Sequence, residues 1–211
     1  MHRRWVAAVL FGITGALGGL PPSPVSAATP PTTGRSPVET SAYVVVDGSP
    51  LPKSELAGTA SDPAIGLKVP KLSGTALDGS KAVVGPTKRP RIVLAVAHWC
   101  SHCQEMVPMV AGLVRAKKLT GVDVQMVSSS ASSSRANYPP SAWFVREGWK
   151  QPVLADDAQA SATAALGVSQ YSFFVLVRPD GKVAGRLAPD VTAAALLDHV
   201  KDLKAGRPLF R

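Results

Sequence analysis

Cys100 and Cys103 are the only two cysteines in a chain of 211 residues, and what flanks them limits what the chain can fold into. Before them, Ile92, Val93, Leu94, Ala95, Val96 and Ala97 form an unbroken apolar run of strand length. A run with no polar alternation suits a strand buried on both faces of a sheet. After them, residues 104–114 carry apolar side chains at three- and four-residue spacing, the pattern of a helix with one buried face. Cys100 is therefore predicted where a buried strand passes into a helix N-terminus. Unpaired backbone N–H groups and the positive end of the helix dipole favour a sulfur anion there. Cys103 lies one turn further on, within reach of a small disulfide ring. His102 stands between the two and adds a second group that favours the Cys100 thiolate. Stabilising the thiolate favours the dithiol over the disulfide, so this pattern predicts a pair with an oxidising bias. A purely structural crosslink is a poor reading, because so small a loop constrains little of the unfolded chain.

The ends of the chain set the expected compartment. Met1, His2, Arg3 and Arg4 precede a short apolar segment that runs to Leu20. Pro21, Pro22, Pro24 and the small residues Val25, Ser26 and Ala27 follow. A basic start, a short apolar stretch and a small-residue site make up a secretory signal peptide, expected over residues 1–27. The alternative is an uncleaved segment that tethers the protein to the membrane. Disulfide exchange is at home outside the cytoplasm, so an extracytoplasmic location is expected. Residues 28–61 are rich in Pro, Ser, Thr, Gly and Ala and are predicted to form a flexible tether, with a short strand possible around residues 42–46. Residues 62–206 are enough for one domain with a real core. The net charge is +9 and falls to +7 once Arg3 and Arg4 leave with the signal. The basic residues are scattered, so no nucleic acid is expected as a partner.

Within the domain, residues 122–127 predict a second strand, parallel to the first through the intervening helix. Pro139 and Pro140 open a short helix through Val145, and residues 152–154 read as a brief strand. An alanine-rich helix reaches Leu166. The runs 173–177 and 183–187 flank Pro179, Asp180 and Gly181 as an antiparallel hairpin. A last amphipathic helix carries Leu196, Leu197, Val200 and Leu203. The fold class is α/β: a mixed sheet flanked by helices, with an N-terminal extension and the cysteine pair at one sheet edge. The serine-rich run 128–134 is read as a loop and given no chemistry.

This order, with Trp99, Cys100, Ser101, His102 and Cys103, Pro108 inside the helix, and the Asp180–Gly181 turn, resembles the thioredoxin fold. It is most similar to the exported TlpA/ResA-like thiol-disulfide oxidoreductases. The resemblance implies that Cys100 is the attacking nucleophile and Cys103 the resolving thiol, with Trp99, Tyr171 and Ser172 lining a substrate groove. It also implies two departures. Ser172 occupies the position where a cis-proline is usual, and its hydroxyl is placed to reach the Cys100 sulfur. The buried acid of cytoplasmic thioredoxins is replaced by Leu94.

The function expected is thiol-disulfide exchange with cysteines of envelope or secreted proteins, with a membrane redox partner and no cofactor. The Ser101–His102 dipeptide favours an oxidant or isomerase. The family also allows a reductant, as in cytochrome c maturation. A second class of function is Cu(I) binding or delivery by Cys100, Cys103 and a nearby His98 or His102, since thiolates suit Cu(I).

Overall fold

The computed structural model describes residues 36–53 and 55–210. The expected signal peptide and the first part of the expected tether therefore lie outside the described residues. No helix among the described residues is long and apolar enough to cross a membrane.

The elements in chain order are β1 (Val45–Asp47), β2 (Lys71–Thr75), β3 (Lys81–Val84), β4 (Arg91–Val96), α1 (Ser101–Arg115), β5 (Asp123–Ser128), α2 (Pro140–Arg146), β6 (Val153–Ala155), α3 (Ser161–Ala165), β7 (Phe173–Val177), β8 (Val183–Leu187) and α4 (Ala193–Lys204). Five of the strands form a sheet ordered β6-β5-β4-β7-β8. β4 pairs in parallel with β5 and antiparallel with β7, and β5 pairs in parallel with β6. This is the expected thioredoxin-like mixed sheet.

β4 lies at its centre with all six residues buried, which explains the lack of polar alternation in its sequence. Its side chains alternate between two cores. Ile92, Leu94 and Val96 pack with Val107 and Val110 of α1, Leu196 and Val200 of α4, and Trp143 and Phe144 of α2. Val93 and Ala95 point the other way, into a core with Ala162 and Ala165 of α3 and with Leu72 and Val84. The strand is thus held from both faces by apolar burial, the dominant favourable term in folding.

The second face is closed by a sheet that periodicity did not predict. β1, β2 and β3 form a three-stranded antiparallel sheet, of which only β1 overlaps an expected strand, the short one around residues 42–46. Of the stretch predicted as a tether, residues 36–53 and 55–61 are described, and several are built into the domain. Val46 pairs with Leu72, Val44 and Leu51 are buried, and the Val44 N–H donates to the Asp157 carboxylate at 2.9 Å. The composition is that of a linker, but the apolar side chains of Val44, Val46 and Leu51 and the N–H groups of Val38, Ser41, Val44 and Leu51, which donate into the domain, seat it.

A buried ion pair fastens the same region to the main sheet. Arg186 on β8 and Asp62 both have fully buried side chains, with Nη2 2.6 Å from Oδ1 and Nε 2.9 Å from Oδ2 of the carboxylate. Arg186 Nη1 also donates to the Pro52 carbonyl at 2.8 Å and the Gly167 carbonyl at 3.2 Å. Gly167 has φ +65°, and a Cβ there would lie 2.5 Å from Nη1 and 2.6 Å from the Pro52 oxygen, so only glycine fits this approach.

Two outcomes test this packing. Asp62→Ala leaves a buried guanidinium without its counter-charge, and urea denaturation is expected to show a loss of about 3–5 kcal/mol. Replacing both partners with apolar residues of similar size should recover most of it. The second concerns Asp157. Burial alone would raise its carboxyl, but hydrogen bonds from Ser161, Val44 and Gln159 outweigh burial and hold it below its ordinary value of 3.8. Its folded value is the lower one, so its stabilisation is present above the unfolded value and lost as pH falls through the folded value. Wild type should therefore lose stability more steeply than Asp157→Asn as pH drops below 3.8, measured by denaturant midpoints.

Candidate active site

Where β4 ends, the chain turns into α1 with Cys100 as the N-cap residue in extended conformation. The Cys100 N–H donates to the Ala97 carbonyl at 3.0 Å, and the Cys100 carbonyl accepts from Gln104 at 3.1 Å. The turn is therefore tied at both ends, which fixes the first sulfur at the sheet's edge beside the first helical turn. Cys103 follows one turn later, and Pro108 sits further inside α1.

The two thiols are free and differ in environment. Cys100 is half-buried, and its Sγ donates to the Tyr171 carbonyl at 3.5 Å. Cys103 is fully buried, and its Sγ accepts from the Ala97 N–H at 3.4 Å. Burial pushes the Cys103 thiol far up; the Ala97 N–H opposes this, and the neighbouring Cys100 thiol adds to the rise. Leu94, where a buried acid was noted to be missing, is fully buried in the apolar core. Among the described residues, no carboxylate or imidazole makes a hydrogen bond to Cys103. One sulfur is reachable, and the other is enclosed and held as a thiol.

His102 is partly exposed, and its Nε2 lies 3.3 Å from Asp190 Oδ1. An imidazolium there shares its field with a carboxylate as well as with the cysteine turn. His98 is in a different position. It is fully buried, its Nδ1 is 2.6 Å from the Ala136 carbonyl, and its Nε2 accepts from the Ser132 N–H at 3.1 Å. These partners fix a neutral imidazole with its proton on Nδ1, and neither nitrogen is left to ligate a metal. Among the described residues, no group of three or more His, Cys, Asp or Glu is placed to hold a metal ion.

Trp99 and Tyr171 pack edge to face, with ring centroids 6.2 Å apart. Ser172 follows Tyr171 through a cis peptide bond, as Pro139 follows Tyr138. Serine thus occupies the position expected for a cis-proline with that backbone form retained. The expectation for its hydroxyl needs correction. Ser172 is fully buried, its Oγ has no hydrogen-bond partner, and the contact to Cys100 comes from the Tyr171 carbonyl instead. The side chain turns into the core because β7 begins at the next residue and buries that face.

The serine-rich loop is part of the site, which its composition did not reveal. The Trp99 indole N–H donates to the Ser130 carbonyl at 2.9 Å. Ser130 Oγ is 3.1 Å from the Tyr171 hydroxyl, and the Arg135 guanidinium lies 5.0 Å from the centre of the Trp99 ring. A sequence signal existed only in Arg135, the one charged residue of an otherwise Ser, Ala and Asn loop.

The arrangement can carry out thiol chemistry in which Cys103 must lose a proton before it acts. The thiolate is the nucleophile, and burial keeps Cys103 protonated at neutral pH. Below a raised value, each pH unit gives about ten times more thiolate. Release of a partner joined to Cys100 by a mixed disulfide, followed by stopped-flow, should therefore accelerate about tenfold per pH unit from about pH 6 to 9, with no plateau. A plateau near pH 7 would mean that an acceptor lowers the Cys103 barrier.

Comparisons with known proteins agree with this geometry. Residues 48–200 match the family model Redoxin. None of the curated proteins matches the chain. Among solved structures, the chain resembles a thiol:disulfide interchange protein of the thioredoxin family from Chlorobium tepidum TLS, with TM-score 0.54 and 16% identity over 65% of this chain and 96% of that one. It also resembles a secreted Mycobacterium tuberculosis disulfide oxidoreductase homologous to E. coli DsbE, with TM-score 0.51 and 18% identity over 62% and 95%. A third is the thioredoxin domain of a thiol-disulfide oxidoreductase from Bacteroides vulgatus, with TM-score 0.51 and 20% identity over 67% and 98%. At these identities the likeness is one of fold. The match over residues 48–200 together with the free cysteine pair identifies the chain as a thioredoxin-fold thiol-disulfide oxidoreductase of the Redoxin family.

Proposed function

We propose that this oxidoreductase works outside the cytoplasm, as an oxidant or isomerase of cysteines in envelope or secreted proteins. The reading rests above all on the unequal thiols: Cys100 half-exposed at a helix N-terminus, Cys103 enclosed behind it. In the oxidised protein, a substrate thiolate attacks Cys100 Sγ. The Cys100–Cys103 bond breaks, and Cys103 leaves with the electron pair and takes up a proton. A second substrate thiolate then attacks the substrate sulfur of the mixed disulfide, and Cys100 leaves as thiolate. The substrate gains a disulfide and the protein gains two electrons, which pass to a disulfide-bearing membrane partner. Trp99 and Tyr171, packed edge to face, form one aromatic wall along which the substrate sulfur approaches, and the Tyr171 carbonyl orients Cys100.

The direction is supported by the place of Cys100 at the N-cap of α1, where the positive end of the helix dipole favours a sulfur anion and hence the dithiol product. The location is supported by the basic, apolar and small-residue pattern of residues 1–27. A Cu(I) role gains no comparable support, since His98 is engaged at both nitrogens and His102 faces Asp190.

Trapping separates the roles of the sulfurs. Mixed with a reduced, unfolded protein that needs disulfides, oxidised wild type should speed its refolding. Challenged with a substrate disulfide, reduced Cys103→Ser should accumulate a mixed disulfide through Cys100, and Cys100→Ser should give none. Adducts found on Cys103 would overturn the assignment.

A further inference from the structure

Beyond Cys100, the rim of the site carries one positive charge that no carboxylate answers. Arg135 is exposed, stacks over Trp99 at 5.0 Å, and has no ion pair among the described residues. Its neighbours from 128 to 139 hold no other charged side chain. The backbone holds it there: its N–H donates to the Ser132 carbonyl at 3.2 Å, and Ser130 is fixed to both Trp99 and Tyr171. A continuous set of contacts therefore runs from Arg135 through Trp99, Ser130 and Tyr171 to the Cys100 sulfur. His102 and Asp190, also beside the cysteine turn, face each other at 3.3 Å.

We infer that Arg135 is a specificity-determining residue, selecting substrate segments that carry an Asp or Glu within a few residues of the reacting cysteine. This rests on the exchange reaction proposed above and adds to it the charge of the preferred substrate. An Arg already stacked on an aromatic ring loses little freedom when it accepts a carboxylate, and its planar fork suits that group. A charge at the rim of a contact surface acts mainly on the association rate and is weakened by salt.

The test uses three dithiol peptides that differ only in residues beside the cysteine: Glu, Gln or Lys. Each is mixed with the oxidised full-length protein in single-turnover experiments. The Gln peptide reports the exchange reaction itself, and an unreactive Gln peptide would remove the proposed function and this inference together. With exchange present, the Glu peptide should react about fivefold faster than the Lys peptide at low ionic strength, the upper end of what one exposed ion pair supplies. The preference should shrink in high salt. Arg135→Gln should bring the ratio close to one, and Arg135→Glu should invert it. Lys118→Glu makes the same change of charge at the far end of α1 and should keep the wild-type ratio. A wild-type ratio near one, or a ratio that moves equally in Lys118→Glu, would overturn the inference, the latter because net charge alone would then explain it.

Discussion

Everything at the site depends on how β4 is held. Its six buried residues lie between β5 and β7, in register from Arg91 to Val96 on one side and from Arg91 to Ala95 on the other. Side chains alternate into two apolar cores, so a shift by one residue would exchange the contents of both. That register sets where the chain leaves the sheet, and so where Ala97 offers its N–H to Cys103 and its carbonyl to Cys100. The antiparallel partner β7 starts directly after Tyr171 and Ser172, which brings the Tyr171 carbonyl to the Cys100 sulfur. One strand thus positions both sides of the cysteine pair.

The chemistry then follows from a difference in solvation. The two sulfurs are one helical turn apart, yet one is reachable and the other lies in the core that packs α1 on the sheet. Burial penalises the charged form of Cys103, with the Ala97 N–H as the one favourable contact to its sulfur. Access decides which sulfur a partner meets first, and desolvation decides how slowly the second one answers. His102 and Asp190 lie outside this core, so their charges adjust the site without disturbing its packing.

Much of this was legible in the sequence, for physical reasons that differ from element to element. β4, α1 and the β7–β8 hairpin were read from local patterns, because burial on both faces, one-sided burial and a tight turn each leave a local trace. The small sheet is legible only in β1, which overlaps the short strand expected around residues 42–46. β1 and β3 are three and four residues long, and their pairing is with distant chain. Arg186 looked like any strand residue, since its partner Asp62 lies 124 positions away. The serine loop was read as featureless because its contacts to Trp99 and Tyr171 use a backbone carbonyl and a hydroxyl, which composition does not reveal. The Ser172 hydroxyl was assigned to the wrong neighbour: its position beside Cys100 was legible, and the direction of its side chain was not.

The central claim is that the helix N-terminus makes the Cys100–Cys103 pair oxidising, and its reduction potential tests that most directly. Equilibration in glutathione buffers, read by the fluorescence of Trp99, is expected to give a value of about −120 to −180 mV, the range of strong oxidants and isomerases. A value of about −270 mV, that of thioredoxin, would contradict the account and make the protein a reductant.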